Sequence, residues 1–162
     1  MSLLAPGKVQ YILCTGNLCT REMEEYLRSL CSEVHIAQGD MDEGRYQELV
    51  ALHVGSVSFA ICHGHQVLPW YDETAQIALQ RDLGVDVLVV GHSHKIGTIE
   101  CPGGGIIINP GTATGAPRVI DLEAPKPSFV LMDIQGRKLV TYTYTLENED
   151  DIKVDRSVVQ LR

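Results

Sequence analysis

Five short polar clusters hold the residue types from which a metal or acid–base site could be built. They are Gly16-Asn17, Gly39-Asp40-Met41-Asp42, His63-Gly64-His65, Gly91-His92-Ser93-His94 and Asn109-Pro110-Gly111. Each closely follows a short apolar run, so each sits where a strand would end. Imidazole nitrogens combined with Asp or Asn oxygens suit zinc, manganese or iron. Four of the six histidines fall in two His-x-His pairs. In extended backbone, residues two apart point to the same side, so both members of a pair can reach one site. A single histidine in a turn is ordinarily a hydrogen-bonded structural residue. Recurrence at successive strand ends is what argues for a metal. Loops at the carboxyl ends of neighbouring parallel strands converge on one rim, and that architecture would bring these clusters together.

The elements that must position the clusters are legible in the apolar spacing. Val9–Cys14 and Val34–Ala37 read as short strands. Between them Thr20 is placed to cap a helix, with Glu22, Glu24 and Glu25 at its positive end. Met23, Tyr26, Leu27, Leu30 and Cys31 recur at helical spacing and form one apolar stripe. Val50–Val54 and Val57–Cys62 predict a hairpin turning at Gly55-Ser56. A second helix runs from Asp72, its N-cap, to Leu83, with Gly84 as its stop. Val85–Val90 is almost wholly apolar, as a parallel strand buried on both faces should be.

The pattern then changes. Ile96–Cys101 with Ile106–Asn109, and Ser128–Ile134 with Leu139–Leu146, read as hairpins. In the last of these segments Val140, Tyr142, Tyr144 and Leu146 alternate with threonines, which gives one apolar face. An acidic turn at Glu147–Asp151 leads to an edge strand at Ile152–Val159. With β/α units first and antiparallel strands later, the chain is expected to be α/β: two packed mixed β-sheets flanked by helices, in one domain over residues 1–162.

Composition narrows the function classes. The chain has 162 residues with 44% hydrophobic and 21% charged, close to a globular average. Its net charge of −8 disfavours a general nucleic-acid binder, which needs a basic surface. No apolar run of eighteen residues occurs, and the first residues do not read as a secretory signal. The five cysteines are scattered without a CxxC pair and read as small core residues of a reduced, cytoplasmic protein.

The order Gly-Asn, Gly-Asp-x-Asp, His-Gly-His, Gly-His-Ser-His resembles the calcineurin-like metallophosphoesterases. The stretches Ile12–Thr20, His63–Trp70 and Ser128–Ile134 are similar to the branch of that family that serves as the small subunit of retromer, an endosomal cargo-sorting coat. The likeness runs from about Leu4 to the C-terminus. It implies that Asn17, Asp40, His63, His92 and His94 stand at metal-ligand positions, for zinc or manganese held weakly. Three departures bear on activity. Asn17 stands where active enzymes place a bridging aspartate, and a neutral amide is a poor bridge between two dications. Met41 stands where they place a proton-donating histidine, and a thioether cannot act as a general acid. The family's leading strand, ending in Asp-x-His, is not found in the sequence; if it is truly missing, the expected sandwich lacks its first strand.

The resemblance therefore implies a non-catalytic scaffold subunit. The alternative is a metal-dependent phosphodiesterase or phosphatase. A large α-solenoid subunit would dock on Leu68, Pro69 and Trp70. Rab-regulating effector proteins would dock near Leu131, Tyr142 and Tyr144, although alternation alone does not say which face is outward. Membrane contact, at the endosome, would be indirect.

Overall fold

The computed structural model describes residues 7–118, 124–148 and 151–162. The described strands fall into three sheets. β1 (Tyr11–Cys14) and β2 (Glu33–Ile36) form a parallel pair bridged by helix α1 (Arg21–Leu30). The central sheet has the order β3-β4-β5-β7-β6. Its strands are β3 (Leu49–Val54), β4 (Val57–Cys62), β5 (Val87–Val90), β6 (Gly97–Glu100) and β7 (Ile106–Asn109). β4, β5 and β7 run parallel, with β3 and β6 antiparallel at the edges. Helix α2 (Glu73–Leu83) connects β4 to β5. The third sheet, β10-β9-β8, is wholly antiparallel and comprises β8 (Ser128–Gln135), β9 (Lys138–Asn148) and β10 (Asp151–Gln160).

The central sheet is apolar on both faces because both are covered. On one side Val57, Phe59, Ile61, Val87, Val89, Ile106 and Ile108 pack against Leu139, Leu161, Val130, Met132 and Ile134. On the other Ala60, Cys62, Leu88, Val90 and Ile107 pack against Ile77, Leu79 and Leu83 of α2. Each fully buried side chain of this kind stabilises the fold by about 1.5–3 kcal/mol.

The helices begin and end as their caps dictate. The Thr20 hydroxyl accepts from Met23 N–H, the Asp72 carboxylate accepts from Ala75 N–H, and Gly84 closes α2 in the left-handed conformation. The expected apolar stripe of α1 is only partly buried. Leu30 and Cys31 are covered, but Met23 and Tyr26 are 43% and 54% exposed. Four-residue strands β1 and β2 offer too narrow a surface to cover a ten-residue helix. Among the cysteines, Cys31, Cys62 and Cys101 are buried, whereas Cys19 lies exposed rather than in the core. Of the acidic turn expected at Glu147–Asp151, the ends belong to β9 and β10, and residues 149–150 lie outside the described residues, as do residues 1–6, the start that does not read as a signal.

The third sheet settles which face looks outward. Val130, Met132 and Ile134 point into the core, so the pleat turns Phe129 and Leu131 the other way. Register pairs Phe129 with Tyr144 and Leu131 with Tyr142. Phe129 and Tyr144 stack at 4.8 Å, and Arg156 of β10 lies 6.0 Å from the Tyr142 ring centroid. Exposed Ile152, Val154 and Val158 continue this outer face along β10.

Candidate metal centre

The parallel strands β1, β2, β4 and β5 release their polar loops at one end, and the loops meet there. Asp42 fastens two of them. Its carboxylate accepts from Asn17 N–H at 2.8 Å, Gly39 N–H at 2.9 Å and Cys19 N–H at 2.9 Å. Asn17 and Cys19 both hold left-handed backbone, with φ of 57° and 62°. Asp42 was not a candidate ligand, and the structure gives it a different task. Its place two residues after Asp40 was the only signal in the sequence.

The centre itself is a trio. His63 Nε2 lies 3.0 Å from Asp40 Oδ1, and His92 Nδ1 lies 3.2 Å from His63 Nε2 and 4.0 Å from Asp40 Oδ1. One ligand atom from each falls within 4.8 Å of the others. His63 Nδ1 is 2.8 Å from the Thr15 carbonyl, which can only accept, so Nδ1 carries the proton and Nε2 offers its lone pair inward. A lone pair and a carboxylate converging at this distance suit a shared cation. His92 Nε2 is buried with no hydrogen-bond partner. The donor set thus fits one divalent metal, with two imidazoles and a carboxylate as ligands.

Electrostatics agree. Burial holds the His63 and His92 imidazoles below the ordinary histidine value, and in His92 the neighbouring His63 adds to this. At neutral pH both are in the unprotonated form a metal requires. Burial would raise the Asp40 carboxyl, but the Asn17 hydrogen bond and the facing His63 and His92 bring it below the usual range.

Asn17 sits in the cluster with its amide nitrogen inward. Nδ2 donates to Asp40 Oδ1 at 3.0 Å and lies 3.4 Å from His63 Nε2, while Oδ1 accepts from Met41 N–H at 2.9 Å. The Met41 contact fixes this orientation, since the flipped amide would set two donors against each other. His94 lies outside the trio, with Nδ1 2.8 Å from the Ala116 carbonyl. Asn109 is a brace. It donates to Ser93 Oγ at 2.7 Å and accepts from Gly111 N–H at 3.0 Å, shaping the loop that carries His92. His65, absent from the expected ligands, places its ring 5.5 Å from that of His63 and 6.3 Å from that of His92.

An apolar rim borders the centre. Leu68 is 71% exposed, Trp70 54% and Met41 69%. Trp70 Nε1–H donates to the His65 carbonyl at 2.7 Å, and its ring meets His92 edge-on at 5.3 Å. Pro69 is exposed between them. Replacing Asp40 or His63 by alanine is expected to weaken zinc binding by about tenfold or more, since even a ligand's supporting partner is worth that much. Calorimetric titration of the metal-free chain measures it.

Residues 1–137 match the calcineurin-like phosphoesterase superfamily domain. The chain is 35% identical over 158 residues to the vacuolar protein sorting-associated protein 29 of Schizosaccharomyces pombe, covering 95% of this chain and 83% of that protein. A crystal structure of wild-type Vps29 from Entamoeba histolytica complexed with zinc superposes with a TM-score of 0.88 at 42% identity, over 96% of this chain and 85% of that one. Vps29 of Chaetomium thermophilum, solved in complex with a cyclic peptide, gives 0.84 at 31% identity, over 99% of this chain and 85% of that one. The chain therefore belongs to the Vps29 family within the calcineurin-like phosphoesterase superfamily.

Proposed function

We propose that this chain is a non-catalytic scaffold subunit of the retromer cargo-sorting complex. It binds the large α-solenoid subunit through the rim of its metal centre and effector proteins, of the Rab-regulating kind, through the outer face of β8 and β9. It works in the cytoplasm and reaches the endosomal membrane through the complex. No described helix is long and apolar enough to cross a membrane.

The observation that carries this reading is the exposed Leu68-Pro69-Trp70 segment directly beside the trio. Large apolar side chains kept in water at the mouth of a polar site suit an interface anchor. Met41 supports the same view. By the family resemblance it stands where a general acid would act, its side chain is exposed, and it has no proton to give. When bound, a zinc or manganese ion would polarise a phosphoryl oxygen or ligated water. Asp40, His63 and His92 would hold it. Asn17 would not bridge it to a second ion, because its oxygen is engaged by Met41 N–H.

Leu68→Asp is expected to leave folding unchanged, because the side chain is exposed, and to weaken co-purification with the α-solenoid subunit at least tenfold, about the loss of one interface hot spot. Undiminished binding would remove Leu68 as an anchor. The trio favours a second reading, a metal-dependent phosphodiesterase. Turnover of bis(p-nitrophenyl) phosphate with manganese, abolished by His92→Ala, would establish it. The expected rate is no higher than that of the metal in buffer.

A further inference from the structure

Tyr71 holds φ of 67°, a left-handed backbone that a bulky side chain adopts only when its surroundings compel it. The ring carried on this backbone faces His92. The Tyr71 ring stacks on the imidazole at 5.7 Å with a 21° interplanar angle. Trp70 meets the same imidazole edge-on at 5.3 Å, and the Arg118 guanidinium lies 4.6 Å from the Tyr71 ring centroid. His92 is thus walled by Trp70 of the docking segment and by Tyr71, the residue that follows it, while its Nδ1 faces His63 and Asp40. Asp72, the next residue, caps α2, so the segment is anchored behind Tyr71.

We propose that Tyr71 is a positioning residue that couples metal binding to the docking segment: its ring orients His92 as a ligand, and a metal-held His92 in turn fixes Tyr71 and Trp70. The proposal rests on reading Asp40, His63 and His92 as a metal site. Coupling of this kind is reciprocal. Whatever factor the metal adds to docking, docking adds to the metal.

Trp70 is the only tryptophan of the chain, so its emission reports on the segment directly. Zinc is titrated into the metal-free chain and followed by calorimetry and by Trp70 fluorescence. In the unsubstituted chain both signals are expected to change with one midpoint. Tyr71→Phe keeps the ring and is expected to match within about twofold. Tyr71→Gly accepts the left-handed backbone but lacks the ring, and is expected to bind zinc about tenfold more weakly. Affinity for the α-solenoid subunit is expected to rise about fivefold or more with saturating zinc in the unsubstituted chain, and not in Tyr71→Gly.

Equal zinc affinity in Tyr71→Gly would overturn the proposal and leave the metal site standing. So would zinc binding that leaves Trp70 emission or partner affinity unchanged. Absence of zinc binding by the unsubstituted chain, or undiminished binding by His92→Ala, would overturn the metal site and the proposal together. Tyr71→Asn, which also tolerates left-handed backbone, replaces Tyr71→Gly if thermal unfolding shows the glycine variant to be disordered.

Discussion

Gly16→Ala is expected to destabilise the chain by about 3–5 kcal/mol and to abolish zinc binding. The residue holds φ of 103°, a region open essentially to glycine. A Cβ there would stand 2.6 Å from Gly39 N, 2.8 Å from Gly39 Cα and 2.9 Å from the Ala37 carbonyl oxygen. All three are backbone atoms, so no side chain can swing aside. Relief requires the β1 and β2 loops to part, which pulls Asn17 and Asp40 away from His63. The converse contact is as tight: a Cβ on Gly39 would meet Asn17 Oδ1 at 2.0 Å. Urea unfolding and a zinc titration on the same sample check both effects. A variant of unchanged midpoint that still bound zinc would show that the two loops need not touch.

Asp86→Ala is expected to cost about 2–4 kcal/mol, by a different route. Asp86 stands at the entrance of β5 in the central sheet, and Arg137 stands in the β8–β9 turn of the facing sheet. The guanidinium grips the carboxylate with both terminal nitrogens, at 2.9 Å and 2.6 Å, and also reaches the Ser56 carbonyl at 2.8 Å. Ser58 donates its N–H and its hydroxyl to the same carboxylate, at 2.9 Å and 2.8 Å. Alanine removes the acceptor of all four hydrogen bonds and with it a clasp between the sheets.

The bond from Arg137, followed by those from Ser58, holds the Asp86 carboxyl at about 2. Its unfolded counterpart titrates near 3.9, so below that pH the unfolded chain binds the proton more readily. The clasp is therefore fully present above about pH 4 and fades as pH falls toward 2. Because Asp86 remains 20% exposed and Arg137 33%, its contribution is on the order of 1–2 kcal/mol. Stability measured from pH 5 down to 2 should fall less steeply in Asp86→Ala than in the unsubstituted chain. Parallel curves would mean that the pair is screened to nothing.

Local chemistry carried most of the element order. Caps at Thr20, Asp72 and Gly84, the turn at Gly55-Ser56, and the unbroken apolar run of β5 act within a few residues, so their consequences can be read in place. The gathering of Asp40, His63 and His92 was also foreseeable, because parallel strands release their loops at one end. The stripe on α1 was not legible in the same way. Periodicity says that Met23 and Tyr26 share a face with Leu30, but not how wide the surface beneath them is.

By itself, the sequence determined an acidic α/β chain with its strands, caps and strand-end histidines, since propensity, periodicity and turn chemistry are local. The tertiary structure alone decided the rest. It turned the Asn17 amide nitrogen inward, set His94 outside the trio, made Asp42 the fastener of two loops and faced Tyr142 and Tyr144 outward. It also stacked Tyr71 on His92. Each of these depends on which distant backbone atom or ring lies opposite, and residue spacing along a chain holds no record of that.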